Sequence, residues 1–152
     1  MKFFLMSLML FFSTSTFAQK SAYQGLPSLI WPKLYDISFT KATDASGEYE
    51  KPIFSDAAKS LKGKKITVPG YMIPFENGIR GKHFMLSSLP VNACFFCGVG
   101  GPETVIEVYL KNEATYSENP IQVQGILVLN DDNPDKMFYI LENAEILGDF
   151  DF

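Results

Sequence analysis

The chain has 152 residues, 13 Lys+Arg against 17 Asp+Glu, a formal net charge of −4 and a single histidine. A mildly acidic chain with scattered lysines carries no electrostatic footprint for nucleic acid or anionic lipid, so nucleic acid is not an expected partner. Two cysteines are too few for a disulfide scaffold, and the length suits one domain able to bury its own core.

At the start of the chain Lys2 precedes an apolar run, Phe3 to Phe12, interrupted only by Ser7 and followed by small and polar residues to Ala18. That pattern reads as a secretory signal peptide over residues 1–18, cleaved near Ala18, and predicts a periplasmic or secreted protein. A spanning helix needs about 20 apolar residues, roughly twice this run, so no stable membrane insertion of the mature chain is expected. Residues 19–45 read as a lead-in segment and a first strand. Gly25, Pro27 and Pro32 break any period, and Trp31 is expected to pack the segment down. Tyr35, Ile37 and Phe39 then alternate with Asp36, Ser38 and Thr40 as a half-buried strand.

Residues 46–152 are expected to form the main domain. Residues 42–52 are polar and turn-rich, after which Ser55 or Asp56 offers an N-cap to a short helix, with Phe54, Ala57, Ala58 and Leu61 at helical spacing, that stops at Gly63. Five strands follow: Ile66 to Phe75, about Lys82 to Leu89, Thr104 to Leu110, Ile121 to Leu129, and Met137 to Leu147. Pro69-Gly70 marks the first as an edge or a bulged, sharply bent strand, and Asn77-Gly78 turns it into the second. The expectation is a mainly β fold: a curled, antiparallel, OB-like Greek-key barrel with one short helix, or alternatively a two-layer β-sandwich.

The sharp chemical feature is Cys94-Phe95-Phe96-Cys97. Haem attachment would need a histidine after Cys97, where Gly98 stands. A thioredoxin-type pair needs a helix to lower its thiol pKa, whereas this one runs into Gly98 to Pro102 and then a strand. A structural disulfide across so small a loop contributes only about 2 kcal/mol, although two adjacent thiols readily oxidise outside the cytoplasm. Thiolates also suit Zn or Cu; the best site that can be assembled is Cys94, Cys97 and His83, with Glu103 or water as fourth ligand. Asp131, Asn133, Asp135 and Glu142 have EF-hand-like spacing, but Lys136 stands where glycine is required, so an acidic turn is expected. Phe84, Phe95, Phe96, Tyr109 and Tyr139 are aromatic residues that could line a groove and that first of all pack a core. No catalytic triad, carboxylate pair or phosphate loop is legible, so no enzyme is expected.

The run Leu61-Lys62-Gly63-Lys64-Lys65-Ile66-Thr67-Val68-Pro69-Gly70-Tyr71-Met72-Ile73-Pro74-Phe75-Glu76, with Phe84-Met85-Leu86 and Ala93-Cys94 beyond it, resembles an uncharacterised family of exported bacterial proteins. The likeness runs from about Phe54 to Leu147. It implies an OB-like periplasmic barrel and, by association with ABC-transporter components tied to metal supply, a metal-handling or accessory role beside such a component or another envelope protein. The chain departs from that family where Phe96 replaces its histidine and Glu103-Thr104 its Asn-Gln pair; Cys97 then offers a Cys/Cys pair in place of Cys/His. The expected function is an exported domain binding a soft metal through the cysteine loop. A binding or assembly module with a Cys94–Cys97 disulfide is the alternative, and a thiol oxidoreductase the third reading.

Overall fold

The computed structural model describes residues 25–44, 47–75 and 80–151; the expected signal peptide and the Asn77-Gly78 turn lie outside the described residues. Ser28 Oγ accepts from the Ile30 and Trp31 amides at 3.0 and 3.4 Å, and Pro32 presets the first turn of a short helix, α1, Trp31–Leu34. This helix stands where an aperiodic segment was expected. Trp31 and Leu34, three residues apart and so on one face, are both fully buried. Trp31 does pack the segment down: its Nε1 donates to Pro69 O at 2.7 Å.

Strands β1, Ile37–Asp44, and β2, Gly47–Phe54, form an antiparallel hairpin that is a two-stranded sheet of its own. The expected domain boundary between residues 45 and 46 lies outside the described residues. β2 lies where a polar loop was expected, because only Pro52 and Phe54 of its eight residues are buried, which leaves no apolar alternation to read. β1 is correspondingly less covered than expected; Phe39 remains 36% exposed. Helix α2, Asp56–Lys59, is capped as its sequence predicts, Ser55 Oγ accepting from Ala58 N at 3.2 Å.

The remaining strands are β3, Lys65–Pro74, β4, Arg80–Ser87, β5, Val105–Thr115, β6, Ile121–Leu129, and β7, Tyr139–Asp149. They close into a five-stranded barrel in the order β3-β4-β5-β7-β6, an OB-like arrangement rather than a sandwich. The all-antiparallel expectation needs one correction: β5 pairs with β7 in parallel, through Glu107↔Ile140 and Val108↔Leu141. The reason is geometric, since directions cannot alternate all the way around a closed ring of five strands. One seam must be parallel.

β3 is neither an edge strand nor bulged. Its first half pairs with β6, ending at Gly70↔Ile121, and its second half pairs with β4, beginning at Tyr71↔Ser87. Gly70 sits at the change of partner because the Leu86 side chain and Ser87 O fill the space a Cβ would need. Inward residues from every barrel strand, including Val68, Leu86, Val108, Val123 and Leu141, join Trp31, Leu34 and Phe54 in one core. Tyr139 OH, donating to Leu34 O at 2.7 Å, fixes α1 over the barrel. No helix among the described residues is long and apolar enough to cross a membrane.

Candidate functional site

The cysteines lie in the connection from β4 to β5, a chain of three short 3₁₀ turns at Val91–Ala93, Phe95–Cys97 and Pro102–Thr104. Each turn is too short to propagate as an α-helix, and Gly98 ends the second at φ +79°, a left-handed conformation glycine adopts freely. The result is a tight bend that points the two thiols differently. Cys94 is 1% exposed and Cys97 lies at the surface, with their Sγ atoms 3.9 Å apart and both thiols free. Cys97 Sγ also donates to Val91 O at 2.9 Å. The hydrogen bond from Cys94, with some desolvation, pushes the Cys97 thiol above its ordinary pKa. That is the opposite of an activated nucleophile, and no α-helix stands behind the pair.

The other two residues of the expected metal site are engaged elsewhere. His83, on β4, has its Nε2 2.8 Å from Glu107 Oε1 and its ring between those of Phe75 and Tyr109, with centroids at 4.4 and 4.3 Å. Glu103 lies in the third 3₁₀ turn, its carboxylate folded back over Gly101. Among the described residues no group of three or more His, Cys, Asp or Glu side chains is placed to hold a metal ion. The structure therefore brings Cys94 and Cys97 together, and not the four-residue set.

Glu107 is the polar residue that composition and spacing left unassigned. It is 3% exposed in the wall between β4 and β5, where Oε1 accepts from Tyr109 OH at 2.6 Å and meets His83, while Oε2 accepts from Met137 N at 2.9 Å. Burial pushes its pKa up, but the Tyr109 hydroxyl, the Met137 amide and His83 outweigh burial and hold it below the usual glutamate range. Tyr109, partly desolvated and facing that carboxylate, is pushed up to about 12. The signal was present in Val105-Ile106-Glu107-Val108: a carboxylate inside an apolar strand must have partners waiting for it.

The acidic turn between β6 and β7 is structural, as its sequence predicts. Asn130 Nδ2 donates to the carbonyls of Asn133 and Met137 at 2.7 and 3.2 Å, its Oδ1 accepts from Asn133 N, and Asp131 pairs with Lys51.

No protein-family model matches the sequence, and no curated protein matches it. Among solved structures the chain matches that of a DUF3299 family protein from Pseudomonas aeruginosa PAO1, with a TM-score of 0.48 and 18% sequence identity. The match covers 62% of this chain and 66% of that one, just under two thirds of its length.

Proposed function

We propose that this chain is a non-catalytic binding protein of the cell envelope, whose Cys94/Cys97 loop takes up Zn(II) or Cu(I) and passes it on. The export half of the reading is supported by the signal-peptide pattern of residues 1–18. The metal half is supported by one distance. Two thiolates on a tetrahedral zinc, each about 2.3 Å from the metal, stand about 3.8 Å apart, and the two sulfurs here are 3.9 Å apart.

Two protein thiolates fill only half of such a shell. The other positions would come from solvent or from the donor or acceptor, with Cys97 at the surface to receive them. A shell completed from outside is suited to transfer rather than storage, and an envelope partner such as an ABC-transporter component is the proposed recipient. The second reading, a local disulfide in a binding module, is favoured by the same closeness of two free thiols.

Native protein is to be recovered from the extracytoplasmic fraction, then assayed for metal and for reactive thiols before and after chelation. The metal reading expects about one Zn or Cu per chain, thiols that react only after a chelator, and loss of most of the affinity in both Cys94→Ser and Cys97→Ser, with His83→Ala nearly unchanged. Metal-free protein whose thiols appear only after reduction overturns it in favour of the disulfide.

A further inference from the structure

The opposite end of the β4–β5 pair carries a second feature that the cysteine loop does not involve. Ser87↔Val105 closes the pair beside the cysteines, whereas Arg80↔Thr115 closes it at the other end, about 20 Å away along the strand. There a cleft of about 110 Å³ opens between the end of β3, the start of β4 and the chain beyond β5. Its floor is apolar, Met72 and Phe84 being core residues 4% and 2% exposed. Phe75, His83 and Tyr116 form its sides, and Arg80 and Lys82 also line it. Among the described residues neither cation is paired with a carboxylate.

Each part restricts what fits. A closed apolar cavity of about 150 Å³ holds a benzene molecule, so this smaller cleft of about 110 Å³, open on one side, seats at most the inner part of one planar ring and leaves the rest at its mouth. The two cations stand in a chain whose formal net charge is −4, which makes the mouth locally complementary to an anion. His83 does not swing freely into the space. Its Nε2 is held by the buried Glu107 carboxylate and its ring is stacked on Tyr109 at an interplanar angle of 11°, so the wall is in place before any ligand arrives.

We propose that this cleft binds a small aryl anion, a single ring seated on Met72 and Phe84 with its charged group at Arg80 and Lys82. The ring would gain apolar burial and contact with Phe75 and Tyr116. The charged group would gain hydrogen bonds from the guanidinium, which are about twice as strong as neutral ones. The site is independent of the dithiol loop.

Benzoate is the probe, titrated into the purified protein and followed by backbone amide NMR, with acetate as the ringless control and benzyl alcohol as the uncharged one. Saturable shifts confined to residues around Phe75, Arg80 and Tyr116, at least about tenfold weaker for both controls and for Arg80→Ala, are expected, with Cys97→Ser unchanged. Arg80 and Lys82 are surface residues, so Lys82→Ala provides a second well-folded variant. Failure to saturate, acetate or benzyl alcohol binding as well as benzoate, or full affinity in both cation variants would each overturn the proposal.

Discussion

The indole N–H of Trp31 is buried, and its 2.7 Å bond to Pro69 O joins the segment before the barrel to the middle of β3. The carbonyl that accepts it belongs to a proline, which gives its own strand no N–H in return. Trp31→Phe keeps most of the apolar contact and removes one donor from a buried carbonyl. The expected cost is about 1–3 kcal/mol, read by denaturant unfolding with circular dichroism and with an unchanged denaturant slope. A loss within about 0.5 kcal/mol would mean that the carbonyl finds another donor. That Trp31 would be buried was legible, because a lone tryptophan in an apolar segment has few other fates. Its hydrogen-bond partner, 38 residues away, was not, since only closure of the barrel brings Pro69 to it.

At the scale of elements, Glu107 ties three pieces of chain together: His83 from β4, Tyr109 from its own strand, and Met137 from the turn before β7. Its carboxylate is held below the usual glutamate pKa in the folded state, so it favours folding when ionised. That contribution is present in full above the unfolded value of roughly 4.3 and is lost as pH falls through the lower folded value. Glu107→Gln should lower stability by about 1–3 kcal/mol near neutrality, and should also flatten the acid limb. Melting temperatures measured between about pH 7 and about pH 3, either side of that unfolded value, should therefore fall more steeply for the parent protein than for the variant; parallel curves would show that Glu107 does not report the change.

The same elements show why sequence reading succeeded unevenly. β6 was legible at both ends because its burial alternates residue by residue, from Ile121 to Leu129. β2 was hidden because Glu48 and Glu50 face solvent in a hairpin covered on few positions. In the candidate site, the closeness of Cys94 and Cys97 follows from local spacing. The engagement of His83 by Glu107 depends on the register of β4 against β5, with His83 opposite Tyr109, and no local pattern fixes that register.

For the molecule as a whole, closure depends on β3 serving two neighbours in turn, which makes Gly70 the residue at which both pairings meet. A Cβ at Gly70 would lie 2.4 Å from Leu86 Cγ and 3.0 Å from Ser87 O, and Leu86 is fully buried in a packed core with nowhere to retreat. Gly70→Ala therefore forces β3 and β4 apart at the change of partner, an overpacking cost of about 1–3 kcal/mol. Gly81→Ala is the matched control, because a Cβ there meets nothing closer than 3.9 Å and its effect should stay within about 0.5 kcal/mol. Strain at the seam should weaken the closed sheet and the α1 segment together, since Trp31 is bonded to the residue immediately before Gly70. In Gly70→Ala the tryptophan fluorescence and far-ultraviolet circular dichroism transitions should shift to lower denaturant by the same amount and remain coincident. Separate transitions would show that α1 is anchored independently of barrel closure, and an unshifted midpoint would show that β3 can bend around a side chain at Gly70.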